Sequence, residues 1–160
     1  MTQTEDLLDE ATAVLRDGAP WFQSLAVYVR AVVAVRRGRS EEAIALVREG
    51  LACSRRLQEK YAYVYGLVPL AAAARLKGDD VWAARILGAR DAVTERAGVM
   101  IVDQTTQELR HEIEREVRAC LTPDRWSRAY AAGRRMSIDA LLHDLERPRA
   151  SAMPSDVMRA

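Results

Sequence analysis

The residues best suited to chemistry are few, and their spacing does not serve it. His111-Glu112-Ile113-Glu114-Arg115 comes closest to a zinc-protease helix, in which two histidines four apart hold the metal and the intervening glutamate acts as base. Position 115 is arginine, so the second ligand is missing and His111 reads as a solvated helix position. His143 stands between Leu142 and Asp144 on a strip that also reads as surface. With only two histidines, acid–base work would fall to carboxylates. Glu112 and Glu116 are four apart and share a helix face, whereas Glu114 points elsewhere. That pair lies off the apolar stripe of its segment, in water, where nothing raises a carboxyl pKa. Cys53 and Cys120 form no CxxC pair and have no histidine at ligand spacing, which leaves them as reduced, buried small hydrophobes. No GxxxxGK[ST] phosphate loop, glycine-rich nucleotide fingerprint or GxSxG elbow occurs. The expectation is a non-enzyme with no metal and no cofactor.

Binding chemistry remains, and composition narrows it. The net charge is +1, whereas domains that neutralise a nucleic-acid backbone are strongly basic. A basic cluster, Arg36, Arg37 and Arg39, is followed at once by Glu41 and Glu42 and reads as a solvated turn. Direct nucleic-acid binding is not expected. Apolar residues make up 49% and charged residues 29%, the balance of a soluble globular domain. The longest apolar runs, Ala31 to Val35 and Tyr61 to Ala74, fall short of the roughly 20 residues that span a bilayer. Met1 to Glu10 is acidic and lacks the regions of a signal peptide, so the expected compartment is the cytoplasm.

The elements that position any binding residues are helices. Thr4 caps a first helix, with Leu7, Leu8, Ala11, Val14 and Leu15 at helical spacing, and Asp17-Gly18 ends it. Pro20 opens a second, whose apolar side holds Trp21, Phe22, Leu25, Ala26, Val29, Val32 and Val33, and which stops near Gly38. Ser40 caps a third, with Glu41 and Glu42 in its first turn. A fourth runs from about Glu59 to Lys77, with a kink expected at Pro69. Asp79 or Asp80 caps a fifth, which continues through Arg96 with Gly98 just past its end. Val99 to Val102 reads as a loop tucking apolar residues inward. A sixth helix opens at Asp103 or Thr105 and carries Leu109, Ile113, Val117 and Cys120 on its stripe. Thr122-Pro123-Asp124 starts a seventh that ends at Gly133, where Trp126 and Tyr130 pack it onto the rest. Ser137 caps an eighth holding Ile138, Leu141, Leu142 and Leu145.

An internal repeat organises the first half. Ala31-Val32-Val33-Ala34-Val35-Arg36-Arg37-Gly38 matches Ala71-Ala72-Ala73-Ala74-Arg75-Leu76-Lys77-Gly78 at an offset of 40 residues. Ala43 then matches Ala83, Leu46 matches Ile86, and Val47 matches Leu87. Antiparallel helices approach closely where small residues meet, and a glycine followed by a polar cap turns one helix into the next. The expected organisation is one domain over 1–146, with units at about 20–58 and 59–98, a helical cap at 103–146 and a flexible tail at 147–160.

A small residue, a turn glycine and an alanine five residues after it mark Gly38 to Ala43 and Gly78 to Ala83. In these the chain resembles the tetratricopeptide repeat, although that family's period is about 34 and its tyrosine-type position is alanine here (Ala34, Ala74). The resemblance implies an all-α, right-handed stack of antiparallel helix pairs. Ala83-Ala84-Arg85-Ile86-Leu87-Gly88-Ala89-Arg90-Asp91-Ala92, then Trp126 to Gly133 and Met136-Ser137-Ile138-Asp139-Ala140, resemble the C-terminal part of large ATP-dependent LuxR-type bacterial transcriptional regulators. That likeness implies a sensor or docking piece, free-standing or part of a longer regulator, and carries over none of the family's ATP-binding or DNA-binding residues.

In such a stack the first helix of each pair lines a concave face. The repeat pattern places Leu25, Tyr28, Val32 and Arg36 there from one unit, and Tyr65, Val68, Ala72 and Arg75 from the next. Aromatic and arginine side chains are common contact anchors. The leading expectation is a regulatory module that binds a protein or peptide on this face. The alternatives are a small-ligand sensor with a pocket near Tyr28, Tyr65 and Arg75, and an oligomerisation domain that forms a homodimer.

Overall fold

In this computed structural model the described residues are Glu10, Ala13, 20–57, 60–98 and 104–146, and among them the regular structure is helical throughout. The helices are α1 (Pro20–Arg36), α2 (Ser40–Leu57), α3 (Lys60–Leu76), α4 (Asp80–Ala97), α5 (Gln104–Cys120), α6 (Pro123–Arg135) and α7 (Ile138–Glu146). Of the first expected helix only Glu10 and Ala13 are described, and both are helical. The rest of it, the 99–102 loop, the tail after 146, and the side chains of Trp21 and Phe22 lie outside the described residues. No helix among the described residues is long and apolar enough to cross a membrane.

The 40-residue repeat is carried by the backbone. Helices α1 and α3 have 17 residues each and α2 and α4 have 18, with every boundary displaced by the same offset. Both turns close on a glycine in the left-handed region, Gly38 at φ 72° and Gly78 at φ 76°. Each glycine amide donates to a carbonyl three residues back, Val35 or Arg75, at 2.9 Å. The next amide, of Arg39 or Asp79, reaches back to Ala34 at 2.9 Å or Ala74 at 3.0 Å. This pair of bonds satisfies carbonyls that a helix end otherwise leaves open, and it needs a residue without a Cβ at the glycine. Asp79 then caps α4 by accepting from the Trp82 amide at 3.0 Å. The equivalent cap position in the first unit is Arg39 and not Ser40, because α2 already begins at Ser40 and Ala43 donates to the Arg39 carbonyl.

Helix α3 is the centre of the molecule. It packs against α1, α2, α4 and α5, and from Ala62 to Ala74 every residue is buried except the half-buried Tyr65. Pro69, fully buried, sits inside this unbroken helix. The alanines at the matched positions (Ala31, Ala43, Ala71, Ala83) are wholly enclosed, as close-packed helix pairs require. Helix α5 lies against α3 and α4 with Leu109, Ile113 and Val117 buried. Cys120 does not join that stripe. It is exposed at the last residue of α5, where Leu121 is buried in its stead, and Cys53 is half-buried.

Helices α4 and α6 touch backbone to backbone. A Cβ on Gly88 would stand 2.1 Å from the Tyr130 carbonyl oxygen, and one on Gly133 would stand 1.9 Å from that of Arg85. Helix α6 starts on the Thr122 cap and continues two residues past Gly133, to Arg135. Helix α7, capped by Ser137, folds back to bury Leu141 and Leu145, and Arg48 of α2 donates to the Leu145 carbonyl.

On an open helix, Gly→Ala would stabilise by about 1 kcal/mol. At Gly133 the added methyl must push α4 and α6 apart, so Gly133→Ala is expected to destabilise by about 1–3 kcal/mol net. Urea unfolding monitored by circular dichroism reads this directly. A variant as stable as the parent would mean that the two helices do not meet at these glycines.

Candidate functional site

Leu25, Val29 and Val32 stand at i, i+4 and i+7 on α1 and so form one stripe. Tyr65 of α3 faces them, and Thr105 and Thr106, in the first turn of α5, close one side. Together with the ring of Tyr28 they enclose a half-open pocket of about 360 Å³. Val29, at 43% exposure, is one of two large apolar side chains left in the open among the described residues and forms the rim. The lining is aliphatic and aromatic apart from the hydroxyls of the two threonines and the tyrosines.

Tyr28 contributes a wall but is not an accessible anchor. It is 2% exposed, and its ring lies between two glycines. A Cβ on either Gly50 or Gly66 would come within 2.5 Å of its Cε1 atom. The Ser54 hydroxyl donates to the Gly50 carbonyl at 2.8 Å, so the Tyr28 hydroxyl is the donor in the 3.1 Å bond between the two side chains. Tyr65, half-buried, is the aromatic that a bound group can reach.

The structure therefore brings Leu25, Tyr28, Val32 and Tyr65 together and sends the other four expected residues elsewhere, Ala72 into the core. Val68 is fully buried, because α3 is covered on all sides. Arg36 donates to Glu112 at 2.7 Å. Arg75 pairs with Asp80 at 3.3 Å and with Glu116 at 3.6 Å. The face where both arginines stand is thus occupied by α5, and Glu112 and Glu116, which stay solvent-accessible as expected, serve there as ion-pair partners. Burial raises the Asp80 carboxyl, with Arg75 opposing and Asp79 reinforcing.

A second constellation, which sequence reasoning missed, lies where α4, α5 and α6 meet. Asp91 accepts from Arg90 at 2.8 Å, from Arg110 Nε at 3.2 Å and its terminal nitrogen at 2.5 Å, and from the Tyr130 hydroxyl at 2.7 Å. Arg110 also donates to Glu114, which accepts from Arg118 at 2.9 Å. Arg118 stacks over the Trp126 ring at 4.3 Å, and Trp126 stacks on Tyr130 at 5.4 Å, which closes a ring of contacts. Burial alone would raise the Asp91 carboxyl, but the bonds from Arg110, Arg90 and Tyr130 hold it below its ordinary value. Burial and Asp91 together push Tyr130 up. These shifts describe a carboxylate locked in its charged form, which suits an anchor and not a proton carrier. The Arg90-Asp91 pair was visible in the sequence, but its partners lie 19 and 39 residues away and no local periodicity points to them.

His111 and His143 are exposed. Among the described residues no group of three or more His, Cys, Asp or Glu is placed to hold a metal ion. No family model, curated protein or solved structure matches the chain.

A depressed carboxylate pKa contributes stability that is present above the unfolded value, near 3.9, and is lost as pH falls through the folded value. Asp91→Asn is therefore expected to cost about 3 kcal/mol at neutral pH, since it leaves Arg110 partly buried with its main partner gone. The gap between parent and variant narrows as pH falls below about 4. Unfolding curves at pH 7 and in steps below pH 5 test both parts. A loss that does not change with pH would show that the Asp91 charge is not what holds the three helices.

Proposed function

We propose that this chain is a non-catalytic regulatory module of tetratricopeptide-like, right-handed architecture, and that it binds its partner through the pocket between α1, α3 and the start of α5. The observation that carries this reading is the pocket itself, about 360 Å³ and apolar, with Val29 exposed at its mouth. Apolar concavities with a few polar groups at the edge are the usual form of binding sites. The two turns closed alike at Gly38 and Gly78 support the repeat architecture. The ion-paired state of Asp91, Glu114, Arg110 and Arg134 supports a framework role for the charged residues. The passages around Ala83–Ala92 and Trp126–Ala140 favour a place in, or kinship with, a LuxR-type bacterial regulator acting in the cytoplasm.

The likeness to helical-repeat regulators suggests a protein or peptide partner. One observation favours a small effector as well. Helix α5 covers the arginine end of the concave face, so the pocket is short where a peptide groove would be long.

Val29→Asp places a charge at the rim without disturbing a buried contact, whereas Leu76→Asp makes the same change at a second exposed large apolar side chain, 49% exposed and away from the pocket. Capture of partners from the source cell, compared across parent and both variants, is expected to fail for Val29→Asp alone, with binding lowered at least tenfold. Equal capture by all three would overturn the pocket as the binding site.

A further inference from the structure

We infer that the ligand of this pocket is a small, electrically neutral and mainly apolar molecule. The inference rests on the pocket being the binding site and names the class of compound that fits it.

Size argues first. A volume of about 360 Å³ equals the share of roughly a dozen water molecules at about 30 Å³ each. It lies near the lower end of the roughly 300–1,000 Å³ typical of small-molecule sites. An extended peptide would have to continue toward Arg36 and Arg75. That path is taken by α5, through Glu112 on Arg36, Glu116 on Arg75, and the buried side chains of Leu109 and Ile113.

Charge argues second. Leu25, Val29, Val32 and Tyr65 supply the walls, and Thr105 and Thr106 the polar edge. No charged side chain among the described residues lines the cavity. The two guanidinium groups of the same face are held by carboxylates of α4 and α5. An ionic ligand would give up its water and meet no counter-charge, which strongly disfavours it. A neutral ligand needs no counter-charge, and its apolar body fills the apolar walls.

The test uses three soluble molecules of one shape, 1-hexanol, hexanoate and hexylammonium, titrated at pH 7 into the full chain and followed by amide chemical shifts. The expected result is saturable binding of 1-hexanol that perturbs Val29, Val32, Thr105 and Thr106, at least tenfold tighter than either ion and weakened at least tenfold by Val29→Asp. Equal or tighter binding of hexanoate or hexylammonium would overturn the neutral class and leave the pocket as the binding site. No saturable shift with any of the three, where Val29→Asp still loses its captured partner, would overturn the small-molecule inference in favour of protein docking. No shift and no lost partner would overturn both readings together.

Discussion

The architecture of the C-terminal half depends on one largely enclosed carboxylate. Asp91 occupies, in the second unit, the place that Leu51 occupies in the first, 40 residues earlier. Leu51 is fully enclosed and joins the apolar core, whereas Asp91 gathers donors from α4, α5 and α6. One substitution within a repeated pattern thus turns an apolar packing position into an electrostatic junction. A buried charge is tolerated only when its desolvation is offset by several well-placed donors, and Asp91 has four donor atoms from three residues. Because Arg110 is held there, α5 is fixed across the first helices of both units, and from that placement follow the closure of the arginine end and the short form of the pocket.

The second constraint is steric. Gly88 and Gly133 let α4 and α6 approach until carbonyl oxygens of one helix lie where a Cβ of the other would be. Polar and steric fixing act on the same pair of helices, since Tyr130 of α6 supplies both the carbonyl against Gly88 and the hydroxyl on Asp91. The C-terminal helices are thereby bound to the second unit by specific contacts as well as by general apolar burial.

Much of this was legible in the sequence, and the misses have definite causes. The turn glycines, the proline after Thr122 and the 40-residue offset located the helix ends to within a residue or two, because these residues act through local backbone geometry. Leu25, Val29 and Val32 were legible as a stripe because α1 has an open side. Val68 was misplaced because α3 is apolar on every face, so helical period carries no information about which face turns outward. The ion pairs of Arg36 and Arg75 span 76 and 41 positions, and only the folded chain brings those residues together.

The setting of Tyr28 has a consequence for how the pocket would respond to an occupant. Its ring is held between Gly50 and Gly66, and its hydroxyl is fixed on Ser54, which is itself tied to the Gly50 carbonyl. These contacts hold the ring from both sides, so this wall is preformed. A ligand arriving at Val29 meets a surface already in its final shape, so little ordering of the protein opposes the encounter. Any force that the ligand exerts on that wall passes directly to the crossing of α2 and α3, where Gly50 and Gly66 flank the ring.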